Sequence, residues 1–276
     1  LIAGSESYSG AAVLCGNAAM RSGVGLVTIG TPRTSKDTIA ARVLPEVMVR
    51  PLAETESGSI SEGAIAEVEK LLKNVDAVAI GSGLSTDEST GRFVRQLVEN
   101  RRMPMILDAD ALTLLSPFAE WPSKAGTQNG GGPSLIVTPH EGEFLRMLGT
   151  KDRNLIEDRV AAVRDFSQKF NVLLVLKGER VLIGEPGGKV VVNPTGNSGL
   201  GKAGNGDTLT GILAGFAAQA AAMGIGMFET VVAAVYAAGL AGDIAEKKFG
   251  KRVMTASDVR ECLTETFEAV GHNFYK

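Results

Sequence analysis

The segment GNSGLGKAGNGDTLTG, residues 196–211, contains the residue types best suited to phosphate chemistry. Gly196, Gly201 and Lys202 have the spacing of a phosphate-binding P-loop, in which a Ser or Thr follows the lysine and binds magnesium. Ala203 stands at that position, and its methyl group cannot bind a metal ion. The segment is therefore either a P-loop without its metal ligand or a different device for handling phosphate.

The apolar residues that follow indicate where the next helix begins. Leu209, Ile212, Leu213 and Phe216 follow helical spacing, which predicts a helix start within residues 205–207, several residues after the lysine. The free N–H groups of a first helical turn, together with the helix dipole, favour a bound anion. The helix start therefore coincides with the sequence GNGD and predicts an anion hole there.

An acidic residue stands at the mouth of this predicted anion hole. Gly204 and Gly206 allow the backbone to approach a ligand closely, and Asp207 follows them. A carboxylate facing phosphate oxygens is repulsive unless it takes a proton from an attacking hydroxyl group. The alternative is that Asp207 caps the helix, which aspartate does well. The spacing alone leaves both interpretations open.

Composition limits the class of protein. The chain has 276 residues, 44% of them hydrophobic and 21% charged, which is typical of a globular protein with a sizeable core. A net charge of −3 argues against non-specific nucleic-acid binding, so we expect no nucleic-acid partner. The two cysteines, Cys15 and Cys262, predict no disulfide framework and fit a reducing, cytoplasmic compartment.

The domain organisation is predicted to be simple. The chain opens without methionine and part-way through a predicted strand, so we expect further residues upstream, and residues 1–276 are predicted to form one domain. The stretch GILAGFAAQAAAMGIGMF, residues 211–228, is long enough to span a bilayer. Its apolar character comes mainly from Ala and Gly, and MGIGM predicts a break between two helices. We therefore expect a buried helix pair and no membrane partner.

Predicted helices and strands alternate along the chain. This alternation is typical of an α/β fold with a mainly parallel sheet and helices on both faces, where ligands bind at the carboxyl ends of strands. The Gly- and Pro-rich segment 121–134 is predicted to be a surface loop. The helices are predicted at 11–21, 61–74, 86–101 and 153–170, and the strands at 24–30, 75–83, 104–110 and 172–178.

Six motifs, taken in order, resemble those of one protein family. AGNGDTLTG resembles the Gly-x-Gly-Asp signature of the ribokinase-like superfamily. The complete set is similar to the ADP/ATP-dependent NAD(P)H-hydrate dehydratases within that superfamily. The other five motifs are GSESYSGAAVLCGNAAMRSGVGLVTI, IGSGLS, ILDADAL, VTPHEGEFLRML and LLVLKGERVLI.

The resemblance implies a three-layer α/β/α ribokinase-like fold and a repair reaction. The reaction is removal of water from NADHX or NADPHX through a phosphorylated intermediate, with ADP or ATP as co-substrate and Mg²⁺. Hydroxide is a poor leaving group, and phosphorylation of the ring hydroxyl converts it into a good one. The resemblance also implies a homo-oligomer and a functional partnership with an NAD(P)HX epimerase.

The resemblance implies roles for particular residues. Ala11, Ala12, Gly83 and His140 match residues that line the hydrate pocket, and Asp207 matches the catalytic base. Helix packing, a turn glycine and a turn histidine are the ordinary structural alternatives. The residues implied to contact the nucleotide are Lys177, Gly178, Glu179, Arg180 and Val181, followed by Lys202, Ala203, Gly204, Asn205 and Gly206.

Several polar residues have open assignments. Glu143 is expected to hold magnesium through water, or to be a solvated glutamate in a first helical turn. Asp108 and Asp110 end a predicted strand, where they would order magnesium and water or cap the next helix. Lys202 replaces a threonine of many relatives and is expected to make a charge contact to phosphate. Ala238 stands where the family often has histidine.

Two other functions compete with this one. A small-molecule kinase of the same superfamily, acting on a vitamin precursor alcohol, would use the same Asp207 and release a stable phosphate ester. A nucleotide-sensing module without turnover belongs to a different class. Asp207 and Glu143 argue against the sensor, because a sensor needs neither a base nor a metal ligand.

The P-loop interpretation makes a testable prediction at Ala203. If the segment were a damaged P-loop, Ala203→Ser would restore the hydroxyl ligand and raise magnesium-dependent turnover. We expect no such increase, because the helix starts several residues after Lys202. Turnover measured against magnesium concentration in both proteins is the check, and a clear gain for the serine variant would restore the P-loop interpretation.

Overall fold

The computed structural model describes residues 1–118 and 134–274, so most of the predicted loop at 121–134 lies outside the described residues. The chain alternates between strands and helices, as predicted. The strands of the described part are β1 (Val27–Pro32), β2 (Val47–Leu52), β3 (Val78–Ile80), β4 (Met105–Leu107), β5 (Leu135–Val137), β6 (Leu173–Leu176), β7 (Leu182–Gly184) and β8 (Val190–Val192).

The helices follow the predicted pattern, and the chain after residue 205 is almost entirely helical. Short 3₁₀ turns precede several of the helices. The helices are α1 (Ser9–Arg21), α2 (Lys36–Ala40), α3 (Ile65–Leu71), α4 (Glu88–Glu99), α5 (Ala109–Leu114), α6 (Glu141–Met147), α7 (Arg159–Phe170), α8 (Asn205–Met223), α9 (Met227–Phe249), α10 (Ala256–Glu261) and α11 (Leu263–Phe274).

The strands form a mainly parallel sheet. β3, β4, β5 and β6 pair in parallel in that order, and β1 pairs in parallel with β2. Ile2 bridges in parallel to both Gly30 of β1 and Ile80 of β3, which joins the two groups of strands. The parallel sheet is confirmed. The antiparallel strands β7 and β8, which extend it beyond β6, were not predicted.

Alternate residues of the central strands enter two hydrophobic cores. Val78 and Ile80 of β3 pack with α4 and α7, whereas Ala79 between them faces α8 and α9. Ile106 of β4 lies on the same side as Ala79. Because successive side chains of a strand point to opposite faces, a sheet buried on both sides needs apolar residues throughout. The three-layer α/β/α fold predicted from the motifs is confirmed.

The predicted break between two apolar helices is also confirmed. α8 ends at Gly224, which has a positive φ of 68°, and α9 begins at Met227. α9 has the length and mean hydropathy, 1.4, of a membrane-crossing helix, but half of that window is buried inside the fold. It packs against α8, α10 and α11. A helix in the core of a folded protein also has the length and hydropathy of a membrane-crossing helix, so these two properties alone do not indicate a membrane span.

The close contact between α1 and α8 places the helix that begins at the GNGD segment. A Cβ atom at Gly211 of α8 would lie 2.2 Å from the carbonyl oxygen of Cys15 and 2.9 Å from the Ala18 Cβ. Only glycine allows α1 to approach α8 this closely at that point. The packing of α1 therefore determines where the first turn of α8 lies.

This contact predicts opposite effects for two helical glycines. Gly211→Ala should destabilise the protein by about 1 to 3 kcal/mol, because the added methyl group forces α1 away from α8. Gly91→Ala in α4 is the matched control, since its Cβ would meet only Leu114 Cδ2 at 3.4 Å. It should stabilise the protein by up to about 1 kcal/mol through helix propensity. Urea unfolding of both variants measures the difference, and equal effects would contradict the packing account.

Candidate active site

The carboxyl ends of the central strands converge on the first turn of α8. Asp108 follows β4, His140 lies just beyond β5 and Lys177 follows β6. All three line a cleft of about 820 Å³, together with residues 201–209. Ligands bind at this edge of parallel α/β sheets, as the sequence predicted.

The first turn of α8 has the geometry expected of an anion hole. Gly204 is the N-cap residue with a φ of +91°, and a Cβ atom there would lie 2.6 Å from Leu14 Cδ1. The helix begins at Asn205, as predicted. Asp207 is therefore the third helical residue rather than the cap, so the capping interpretation is wrong. The first turn lines the cleft and has no side-chain cap; the Asn205 N–H makes only a 3.4 Å bond to the Lys202 carbonyl oxygen, which leaves the turn open to an anion.

A buried ion pair lies behind this turn. Lys177 Nζ donates to Asp108 Oδ1 at 2.7 Å, and Asp108 is only 1% exposed. Thr138 Oγ1 donates to Asp108 Oδ1 at 2.8 Å, and Thr210 Oγ1 donates to Asp108 Oδ2 at 2.9 Å. Although burial opposes the charge, these partners hold the pKa of Asp108 below its ordinary value. Asp108 stands at the N-cap position of α5 but makes no side-chain capping bond, because its carboxylate instead accepts from Lys177, Thr138 and Thr210.

The ammonium group of Lys177 lies beside the anion hole. A Cβ atom at Gly206 would lie 3.5 Å from Lys177 Nζ, so the charge sits against the first turn of α8. Burial opposes this charge, but Asp108 and Glu143 together raise the pKa of Lys177 above its ordinary value. A phosphate in the hole would therefore meet both backbone N–H groups and a permanent positive charge.

Asp207 is partly buried at the opening of the hole. Burial, reinforced by the negative charge of Asp108, raises the pKa of Asp207 to about 6. Lys177 opposes this effect but does not cancel it. A carboxylate with a pKa near neutrality accepts a proton more readily than an ordinary aspartate does, as a general base requires. The electrostatics of the site therefore suit the role proposed for Asp207.

His140 and Glu143 form a capping box at the start of α6. His140 Nδ1 accepts from the N–H groups of Gly142 and Glu143, and Glu143 Oε2 accepts from the His140 N–H at 2.8 Å. Because Nδ1 is an acceptor, the ring proton lies on Nε2. The imidazole is half exposed in the cleft, so the structural role does not prevent a substrate contact.

Glu143 differs from one of its two expected roles, that of a solvated glutamate, and its predicted magnesium contact through water stays a prediction. It is buried, 8% exposed, and does not line the cleft, so it is not a solvated glutamate. One oxygen accepts from the His140 backbone and lies 3.8 Å from Lys177 Nζ, and the other lies 3.5 Å from His140 Nε2. Residues 1–118 and 134–274 contain no group of three or more His, Cys, Asp or Glu side chains placed to hold a metal ion.

Lys202 has a different role from the predicted phosphate contact. Its Nζ donates to the carbonyl oxygens of Lys251, Arg252 and Met254 at 2.9, 2.7 and 2.9 Å. Three donors meet three acceptors, so the ammonium group ties the anion-hole loop to the segment after α9. The sequence could not indicate this, because the acceptors lie 49 to 52 residues away.

Of the residues predicted to line the hydrate pocket, His140 lines this cleft, whereas Ala11, Ala12 and Gly83 do not. Gly83 packs against α1, where a Cβ atom would lie 2.8 Å from the Tyr8 carbonyl oxygen and 3.0 Å from Ala11 Cβ. Ala12 is fully buried in the core beside α2, so its side chain lines no open surface. Ala11 and Gly83 therefore remain predictions for the hydrate, whereas the structure favours a packing role for Ala12.

Most of the predicted nucleotide contacts do line the cleft. Lys177, Gly178, Glu179 and Val181 are among them, but Arg180 instead turns to the Pro194 carbonyl oxygen at 3.4 Å. Sequence reasoning did not identify the far wall as a surface, because most of its residues come from separate elements outside the six motifs, although Ala238 was noted as replacing a family histidine. That wall contains Asn193, Thr195, Leu200, Ile212, Val235, Ala238 and Val259.

The parallel sheet, the anion hole on α8 and the adjacent aspartate define a ribokinase-like protein. A ribokinase-like superfamily protein from Enterococcus faecalis superposes with a TM-score of 0.75 at 26% identity, covering 97% of this chain and 85% of that one. The ADP/ATP-dependent NAD(P)H-hydrate dehydratase from Bacillus subtilis, co-crystallised with ATP/Mg²⁺ and soaked with CoA, gives 0.78 at 30% identity, covering 97% and 90%.

A family model described as NAD(P)H-hydrate dehydratase matches residues 1–265. The chain is 38% identical over 264 residues to the bifunctional NAD(P)H-hydrate repair enzyme Nnr of Moorella thermoacetica, covering 95% of this chain. It spans 47% of that enzyme's length. The chain belongs to the NAD(P)H-hydrate dehydratase family.

The raised pKa of Asp207 predicts a pH-dependent stability difference. Its folded pKa of about 6 exceeds the ordinary value of 3.8, so the penalty for ionising it is absent below pH 3.8 and complete above about pH 6. Asp207→Asn removes the penalty and should be about 1 to 3 kcal/mol more stable than the parent above that pH. The advantage should shrink as the pH falls toward about 4.

Urea unfolding of both proteins across this pH range measures the effect. Asp37→Asn, at a side chain that is 90% exposed on α2, is the matched control and should show no comparable change. A stability difference for Asp207→Asn that does not vary with pH would contradict the electrostatic account of the site.

Proposed function

We propose that this chain is an ADP- or ATP-dependent (S)-NAD(P)H-hydrate dehydratase, a carbon–oxygen lyase that converts NADHX or NADPHX to NADH or NADPH. The observation that carries the proposal is Asp207, with its pKa of about 6, at the mouth of an anion hole that Lys177 adjoins. Family membership supplies the substrate class. We also propose that residues 1–276 act as one catalytic domain.

The cleft is suited to an adenine nucleotide. The apolar side chains of Val181, Leu200 and Val235 line the cleft and suit a base, whereas the anion hole at residues 204–206 suits phosphates. The first-turn N–H groups and Lys177 Nζ lie side by side and would together bind the terminal phosphoryl group. These donors are held in place before the nucleotide binds, so little reorganisation accompanies the transfer.

The first chemical step is phosphorylation of the hydrate. Asp207 takes the proton from the ring hydroxyl as its oxygen attacks the terminal phosphorus, and the bond from that phosphorus to the nucleotide breaks. ADP would leave as AMP, and ATP as ADP. Lys177 and the backbone N–H groups of residues 203–206 stabilise the charge that develops on the transferred group.

The second step is elimination. The lone pair of the ring nitrogen expels phosphate from the adjacent carbon, and loss of a proton from the neighbouring ring carbon restores the double bond of the dihydronicotinamide. His140 Nε2, half exposed and carrying its proton, is placed to donate a hydrogen bond to the substrate. Ala11 and Gly83 would form the wall against which the hydrate packs.

Magnesium would bind through the nucleotide. It usually keeps several waters and binds through phosphates and one or two carboxylates, which suits a cleft that lacks a preformed metal cage. Glu143 would reach such an ion only through water, since both its oxygens already have partners. When bound, the ion would neutralise phosphate charge.

The partners of the chain are also proposals. We infer a cytoplasmic homo-oligomer that works with an NAD(P)HX epimerase, because the hydrate exists as two epimers of which an (S)-specific enzyme consumes one. The Nnr enzyme of Moorella thermoacetica, which is named as bifunctional, supports this partnership.

The proposed function predicts hydrate-dependent formation of NADH. Purified protein mixed with NADHX, Mg²⁺ and either ADP or ATP should show the rise in NADH absorbance. Asp207→Asn should lose about 10²- to 10⁴-fold in turnover, because the amide cannot accept the hydroxyl proton. Its nucleotide affinity should persist or increase, since a negative charge facing the phosphates has been removed.

The controls separate this function from the alternatives. Asp152→Asn, at a remote carboxylate that caps a short 3₁₀ turn, should retain full turnover. Accumulation of a stable phosphate ester from an alcohol, without NADH formation from the hydrate, would indicate a small-molecule kinase. Nucleotide binding without any turnover would indicate a sensing module.

A further inference from the structure

The turn between β3 and α4, residues 81–85, is held in an unusual backbone conformation. Gly81, Gly83 and Ser85 have positive φ values of 138°, 67° and 68°. Glycine adopts such angles freely, but a serine does so at a cost that its surroundings must offset. Neighbouring groups must therefore stabilise the backbone conformation of Ser85.

Asp110 stabilises this conformation through a hydrogen bond. Its Oδ2 accepts the backbone N–H of Ser85 at 2.8 Å, which joins the turn to the first turn of α5. Asp110 follows Ala109, which also has a positive φ, 48°. One carboxylate, that of Asp110, thus links two segments that each contain a strained backbone position, Ser85 and Ala109. A device of this kind is expected where a functional site needs a segment in a fixed position.

The turn in question supports the start of α1. A Cβ atom at Gly83 would lie 2.8 Å from both Tyr8 Cβ and the Tyr8 carbonyl oxygen, so the turn and α1 are already in contact. The Gly4 N–H also donates to the Ser82 carbonyl oxygen at 2.8 Å. Any movement of the turn would alter the space beside Gly83 and Ala11.

We propose that Asp110 is a positioning residue for the hydrate, which it serves by fixing the 81–85 turn against α1 through Ser85. This inference rests on the proposed function, because Ala11 and Gly83 are the residues assigned to the hydrate there. Asp110 itself takes no proton from the substrate. Its hydrogen bond keeps the substrate wall in place, while the nucleotide cleft, which neither Asp110 nor residues 81–85 line, is unaffected.

The charge of Asp110 has a second, separable effect. The groups that act on the pKa of Asp207 are Asp108 and Asp110 at the start of α5, Lys177 after β6 and the Ser82 side chain after β3. The buried Cys15 thiol of α1 also interacts with Asp207. Asp110 raises the pKa of Asp207, so neutralising Asp110 should lower it.

Two variants at Asp110 separate the hydrogen bond from the charge. Asp110→Ala removes the acceptor and should raise KM for NADHX by about tenfold or more, with KM for the nucleotide unchanged. Asp110→Asn keeps an oxygen acceptor and should leave both KM values near those of the parent. It should also move the acidic limb of kcat/KM to lower pH. Asp152→Ala, which loses an equivalent bond to the Asn154 N–H, should change none of these quantities.

Hydrogen exchange of residues 81–85 tests the positioning without turnover. Exchange should accelerate in Asp110→Ala and stay at the parental rate in Asp110→Asn, with melting temperatures recorded to confirm folding. Unchanged exchange in Asp110→Ala, or equal increases in both KM values, would overturn the positioning role. A parent protein inactive toward NADHX would refute the proposed function instead, and the exchange data would still decide whether Asp110 holds the turn.

Discussion

The buried ion pair between Lys177 and Asp108 is the interaction on which the rest of the site depends. It joins the ends of β4 and β6 across β5, and Thr210 extends it to α8. Loss of one partner from a buried pair typically costs about 3 to 5 kcal/mol, because the other charge is left without compensation. The pair therefore holds the sheet edge, the anion hole and Asp207, the proposed base, in one arrangement.

The charges of the same pair also affect the groups around them. Asp108 needs Lys177 to remain charged in the interior, yet its negative charge also raises the pKa of the neighbouring Asp207. Lys177 in turn lies within reach of any phosphate at Gly206. In the proposed mechanism, Lys177 would therefore pair with Asp108 and also contact the transferred phosphoryl group, while Asp108 raises the pKa of the proposed base.

Close backbone approach is the second constraint of this fold. Gly211 lets α1 contact α8, and Gly204 lets the chain enter α8 beside Leu14. Gly81 lets β3 end against β4, since a Cβ atom there would lie 1.8 Å from the Asp108 carbonyl oxygen. Gly204 lines the cleft and Gly81 follows β3, so these close approaches shape the site through the backbone.

The sequence by itself determined the βα alternation, the start of α8 near Asn205 and the helix break at Gly224, because hydrophobic periodicity and glycine act over a few neighbouring residues. Tertiary structure alone decided what the polar side chains do. Lys177 meets Asp108 across 69 residues, and Lys202 turns to carbonyl groups about 50 residues away. Burial and distant partners determine where a side chain points and whether it is charged. Neither property can be read from the local spacing of residues in the sequence.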